Sequence, residues 1–146
     1  MKKILFILIS IVSLLTACET KESDKDLQRI VFDAGDLKFI STSMNTIKGT
    51  SSALYGNQEA LTSLQEEKSL PLNGSILKLV TWKYHDNPQY IGGTITGELL
   101  SIETLETDKN GNINYQLKDD SKTKHNSLNR DNRIKYIMSY KPVTRP

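Results

Sequence analysis

One cysteine stands in 146 residues, Cys18, and its position constrains the chain more than any other feature. A lone thiol excludes an intrachain disulfide and a thiolate cage for a metal. Whatever fold forms must be held without disulfide cross-links. Cys18 also marks a boundary. Ahead of it run Met1-Lys2-Lys3, an apolar stretch of 12 residues from Ile4 to Leu15, and then Thr16-Ala17. A basic start, a short apolar run and small residues before a cut site make the pattern of an export signal. The run falls short of the roughly 20 residues a helix needs to cross a bilayer.

Leu15-Thr16-Ala17-Cys18 resembles the lipobox of bacterial lipoproteins, a leucine and two small residues before a cysteine. The resemblance implies cleavage before Cys18 and acylation of its thiol and new amine with palmitate-type chains. Several chains together give stable anchoring where a single one is marginal. Cys18 is then committed to lipid and unavailable as a nucleophile. The polar run after it, ETKESDKD, has too little apolar content to fold and reads as a tether. Glu19, in place of an aspartate, points by resemblance to Gram-negative sorting rules to the periplasmic face of the outer membrane. The expected organisation is a lipoprotein signal peptide over 1–17, a lipidated tether over 18–35 and one domain over 36–146.

Charge narrows the partners. The formal net charge is +2, and Lys2 and Lys3 account for it, so the remainder is balanced. A nucleic-acid partner has no electrostatic support. Ten asparagines and many serines and threonines favour turns and strands over a helical bundle.

The pattern of side chains gives the elements. Leu37 to Thr42 is rich in β-branched and aromatic residues and predicts a first strand. Asn57 opens a helix of about ten residues, with Glu59 in its first turn and Ala60, Leu61 and Leu64 on one face. Pro71 prevents its continuation. SILKLVTWKYH predicts a central strand, with Ile76, Val80, Trp82 and Tyr84 on one face and Leu77, Leu79 and Thr81 on the other. HDNPQYIGGTITG reads as a turn region. ELLSIETLET and NINYQLK read as two strands around Asn110-Gly111, a strong hairpin signal. DDSKTKHNSLNRDN reads as a loop. DNRIKYIMSYKP fits either period, and Asp131 as an N-cap favours helix. The expected class is α+β, a mainly antiparallel sheet with one or two peripheral helices.

Few motifs carry chemistry. Asp108, Asn110, Asn112, Asn114 and Asp119 fall at calcium-loop positions, but Ile113 stands where that loop needs glycine, and the flanks read as strands. A hairpin tip explains the same residues. His85 and His125 are the only histidines. No G-x-S-x-G elbow is present, and the acidic pairs Glu66-Glu67 and Asp119-Asp120 lack an apolar setting. Trp82 belongs to the core rather than to a stacking platform.

SMNTIKGTSSALYGN, LPLNGSILKLVTWKYHDNPQYIGGTITGELLSIE, a late histidine and the closing YIMSYKPV, in that order, resemble the cytochrome P460 family and its small exported relatives. The resemblance covers about residues 43–143 and implies antiparallel β structure with peripheral helices. Haem-bearing members attach a c-type haem through C-x-x-C-H shortly before the last helix. Ser121-Lys122-Thr123-Lys124-His125 occupies that place here, so the histidine position is kept as His125 while both cysteines are absent. Covalent haem is excluded, and with it the basis for the family's oxidoreductase chemistry. An enzyme is therefore not the expectation. Two functions stay open: a binding or envelope-interaction module with no metal site, whose partner is a small ligand or an envelope protein, or a periplasmic protein with non-covalent haem on His125 for redox or gas binding.

Overall fold

The computed structural model describes residues 32–87, 89–119 and 130–143. Five strands and two helices follow one another as β1 (Lys38–Asn45), β2 (Thr50–Gly56), α1 (Gln58–Gln65), β3 (Ile76–Asp86), β4 (Thr94–Thr107), β5 (Ile113–Asp119) and α2 (Arg130–Met138). The strands form one sheet in the order β1-β2-β3-β4-β5, with every neighbouring pair antiparallel. The α+β expectation holds, and β3 is central as its two apolar faces require.

Both helices cover the same face. Ala60 and Leu64 of α1 and Ile134, Ile137 and Met138 of α2 pack with Leu54, Leu77, Leu79 and Leu105 of the sheet. Register explains the choice, because Leu54 pairs with Leu79, and Leu77 with Leu105, so their side chains rise together. A bulge between Phe39 and Ser41 turns the neighbours Ile40 and Ser41 both toward this core. The opposite face carries a smaller cluster of Ala53, Val80 and Trp82. Trp82 is only 8% exposed, as its core role requires.

Asn57 caps α1 as its sequence position predicts, but it also ties the helix to β3. Its Oδ1 accepts from the amides of Ala60 at 3.1 Å and Ile76 at 3.0 Å, and its Nδ2 donates to the Gly74 carbonyl at 2.7 Å. Gly56, just before the cap, is a close-approach position. A Cβ there would lie 2.8 Å from Ile40 Cδ1 and 3.0 Å from the Ile76 carbonyl. Asn57→Ala is expected to cost about 2 kcal/mol, the sum of a lost cap and an orphaned strand amide. Urea unfolding measures it, and an unchanged midpoint would contradict the double role.

Several expectations need correction. The run TSSALYG, unassigned in the sequence, is β2. The turn expected over HDNPQYIGGTITG is narrower than that run, since β3 continues to Asp86 and β4 begins at Thr94, with the Asn87 and Gly93 backbones bonded across the turn between them. The last element is helix, but Asp131 lies inside its first turn rather than at the cap. Its charge still suits the helix N-terminus there. Of the loop expected over DDSKTKHNSLNRDN, 119 belongs to β5 and 130–132 to α2, and 120–129 lie outside the described residues.

Candidate functional site

A groove of about 810 Å³ lies between β1, α1 and the segment after α2. Ile40 from β1, Leu61 and Leu64 from α1, and Val143 from the tail make its apolar floor. Lys38, Gln65, Glu67 and Lys141 stand on its lining as polar groups, and Lys141 Nζ lies 3.7 Å from Glu67 Oε1. The tail is placed by local chemistry. The amides of Ser139 and Tyr140 close α2 by donating to the carbonyls of Tyr136 and Ile137, and Pro142 cannot extend it. The chain then turns onto the sheet edge, where the Val143 amide donates to the Ile40 carbonyl at 2.9 Å.

A polar network fixes α2 over the sheet beside this groove. Glu103 is 4% exposed and faces the helices between Leu79 and Leu117. Its Oε2 accepts from the Tyr115 hydroxyl at 2.7 Å and from Arg133 Nε at 2.8 Å, while Arg133 Nη2 pairs with Oε1. The guanidinium sits 4.5 Å above the Tyr136 ring. Tyr136 contacts Tyr140 edge-on, with hydroxyls 3.1 Å apart, and Tyr140 reaches Ser43 Oγ at 2.7 Å. Both carboxylate oxygens of Glu103 are occupied by donors. This arrangement anchors α2 to the sheet.

The network perturbs its tyrosines. Burial, then the hydrogen bond and charge of Glu103, push the Tyr115 hydroxyl well above its ordinary range. Burial pushes Tyr140 up to about 12, with Ser43 pulling it partway back and Tyr136 adding to the rise. Burial lowers Arg133, but its bonds to Glu103 outweigh that and leave it raised. For both phenols the folded state holds the proton longer than the unfolded chain. The stability these two phenols contribute is therefore full below pH 10 and declines above it, the share of Tyr140 being lost as pH rises through about 12. Alkaline titration should show unfolding in that window, and Tyr140→Phe should flatten its slope.

The other sequence candidates are scattered. Asp108 closes its own hairpin. Its Oδ1 accepts from the amides of Asn110 and Asn112, each at 2.8 Å, and its Oδ2 from Asn112 Nδ2 at 2.8 Å. Those bonds hold its pKa below the ordinary value. With Gly111 at φ 86°, the tip is a hairpin turn, as its asparagines and glycine predict. His85 is half-buried near the end of β3, its ring above Gly97, and its Nε2 has no hydrogen-bond partner among the described residues. Cys18 and His125 lie outside the described residues, so nothing places either beside the groove. No histidine, cysteine or methionine lines that groove, and no group of three or more potential metal ligands occurs among the described residues.

Sequence reasoning missed the network. A signal was present: Glu103 shares its strand face with Leu105, and a carboxylate on a buried face needs a cation. No family model matches the chain, and no curated protein matches it.

Proposed function

We propose that this chain is an exported lipoprotein, anchored through acyl chains on Cys18, whose cytochrome P460-like domain is a binding module that works without haem. The five-strand antiparallel sheet with two helices agrees with the architecture that the resemblance implies. The anchor rests on the lipobox, and the absence of covalent haem on the missing cysteines before His125. The observation that carries the binding role is the groove. It combines an apolar floor with lysines on its lining, and a concave apolar site with a few placed polar groups is the usual form of a ligand site. Its chemistry suits an elongated amphiphile with an acidic head, its chain along Leu61 and Val143 and its head near Lys38 and Lys141.

A fluorescence titration with anilinonaphthalene sulfonate, an apolar anion, tests this, followed by competition with a long-chain fatty acid. Val143 is 57% exposed, so Val143→Glu leaves the fold intact. That variant should weaken dye binding by about tenfold, through lost apolar contact and added repulsion. Equal affinity for both proteins would remove the groove as the site.

A further inference from the structure

Large apolar side chains stand out into solvent at one end of the sheet. The antiparallel strand order puts the β1–β2 turn and the β3–β4 turn side by side at that end, and the Tyr84 amide donates to the Gly49 carbonyl at 3.0 Å between them. Ile47 in the first turn is 98% exposed. In the second turn Ile91 is wholly exposed and Tyr90 is 69% exposed. A single exposed apolar residue is ordinary, but three on adjacent tips mark an interaction site. The groove lies at the other end of the strands, against Lys38 at the start of β1 and Gly56 at the end of β2.

Register gives the outline of the tips. Thr50, the first residue of β2, pairs with Lys83, and β3 runs three residues further to Asp86. The β3–β4 tip therefore projects roughly 10 Å beyond the β1–β2 tip, and strand spacing sets the two roughly 10 Å apart sideways. A flat surface at a slant to the strands touches both. Lys48 and Lys83 are exposed behind the apolar points, and Asp86 is the one acid within 45–50 and 83–94.

This chemistry favours a phospholipid surface over a protein. A stable protein interface takes roughly 20–30 residues a side, and two tips of a few residues each fall short of that. A bilayer interface takes aliphatic points, an amphipathic aromatic ring at headgroup level and basic side chains behind them. It also requires turn backbone that is already paired as it leaves water. Here the Asn87 amide donates to the Gly93 carbonyl at 2.8 Å and the Gly93 amide to the Tyr90 carbonyl at 3.0 Å. The Gln89 amide donates to Asn87 Oδ1 at 2.9 Å, and the Lys48 amide to Asn45 Oδ1 at 3.0 Å.

We infer that Ile47, Tyr90 and Ile91 insert into the headgroup region of a phospholipid bilayer, with Lys48 and Lys83 against the lipid phosphates. The groove then opens at the end of the sheet away from the membrane. The docking depends neither on the lipid at Cys18 nor on a ligand in the groove.

Co-sedimentation with vesicles of phosphatidylcholine and phosphatidylglycerol tests it, using the mature chain with Cys18→Ser so that no acyl chain contributes. The protein should partition onto the vesicles at millimolar lipid. Ile47→Ser with Ile91→Ser should cut the partition coefficient about a hundredfold, about tenfold for each side chain withdrawn from the interface. Both positions are at the surface, so the melting temperature should not move. Lys48→Gln with Lys83→Gln should weaken binding to these vesicles and leave binding to phosphatidylcholine alone unchanged. Leu70→Ser alters an exposed leucine in the connection from α1 to β3, which enters β3 at the groove end, and should leave the partition as it is. Absence of binding, or equal binding by the wild type and the double isoleucine variant, would overturn the inference. So would an equal loss in Leu70→Ser. Self-association without vesicles that the isoleucine variant abolishes would overturn it as well, because a second copy would then be the occupant.

Discussion

Trp82→Ala is expected to destabilise the domain by about 3–5 kcal/mol, the range for truncating a large buried aromatic. The indole is 8% exposed and packs with Val80 and Ala53, on the side of the sheet away from both helices. With no described layer above it, this side holds few apolar groups that could collapse into the void. Urea denaturation monitored by circular dichroism gives the number. A wild-type midpoint would mean that Trp82 rests on the sheet without supporting it.

The second large effect lies in the ionic anchor. Arg133→Ala leaves Glu103, 4% exposed, with its charge facing the helix-covered core and only Tyr115 as donor. Breaking a buried pair by removing one partner costs about 3–5 kcal/mol. The Arg133 side chain is 23% exposed, so a figure near the low end, about 3 kcal/mol, is expected. Replacing both partners, Glu103→Met with Arg133→Leu, should recover most of it, because the penalty belongs to the unpaired charge. If the double variant is as unstable as the single one, the pair is a scaffold for some further contact rather than a self-contained anchor.

Much of the fold was legible where local pattern and tertiary need coincide. The two-faced run Ile76 to His85 became the central strand because both of its faces find partners. Asn57 capped α1, and Asn110-Gly111 turned a hairpin, because those side chains satisfy backbone groups near in sequence. TSSALYG was not legible. It offers two large apolar residues, Leu54 and Tyr55, and its extended form is imposed by ladders to β1 and β3. Gly97 read as a turn residue, but it lies within β4 and leaves room for the His85 ring. The groove was invisible for a similar reason. Its walls come from β1, α1 and the last residues of the described chain, and no short motif records their meeting. Glu103 and Arg133 are thirty residues apart, and only the crossing of α2 over β4 and β5 brings them together.

The central claim is that this fold binds through an apolar groove and does not depend on haem. Haem titration of the mature protein tests it most directly, read by visible absorption with His125→Ala alongside. The account predicts no sharp Soret band that depends on His125, with dye binding at the groove unaffected by added haem. A sharp band at stoichiometric haem that His125→Ala abolishes would contradict it, and would make this chain a haem protein that has lost only its covalent attachment.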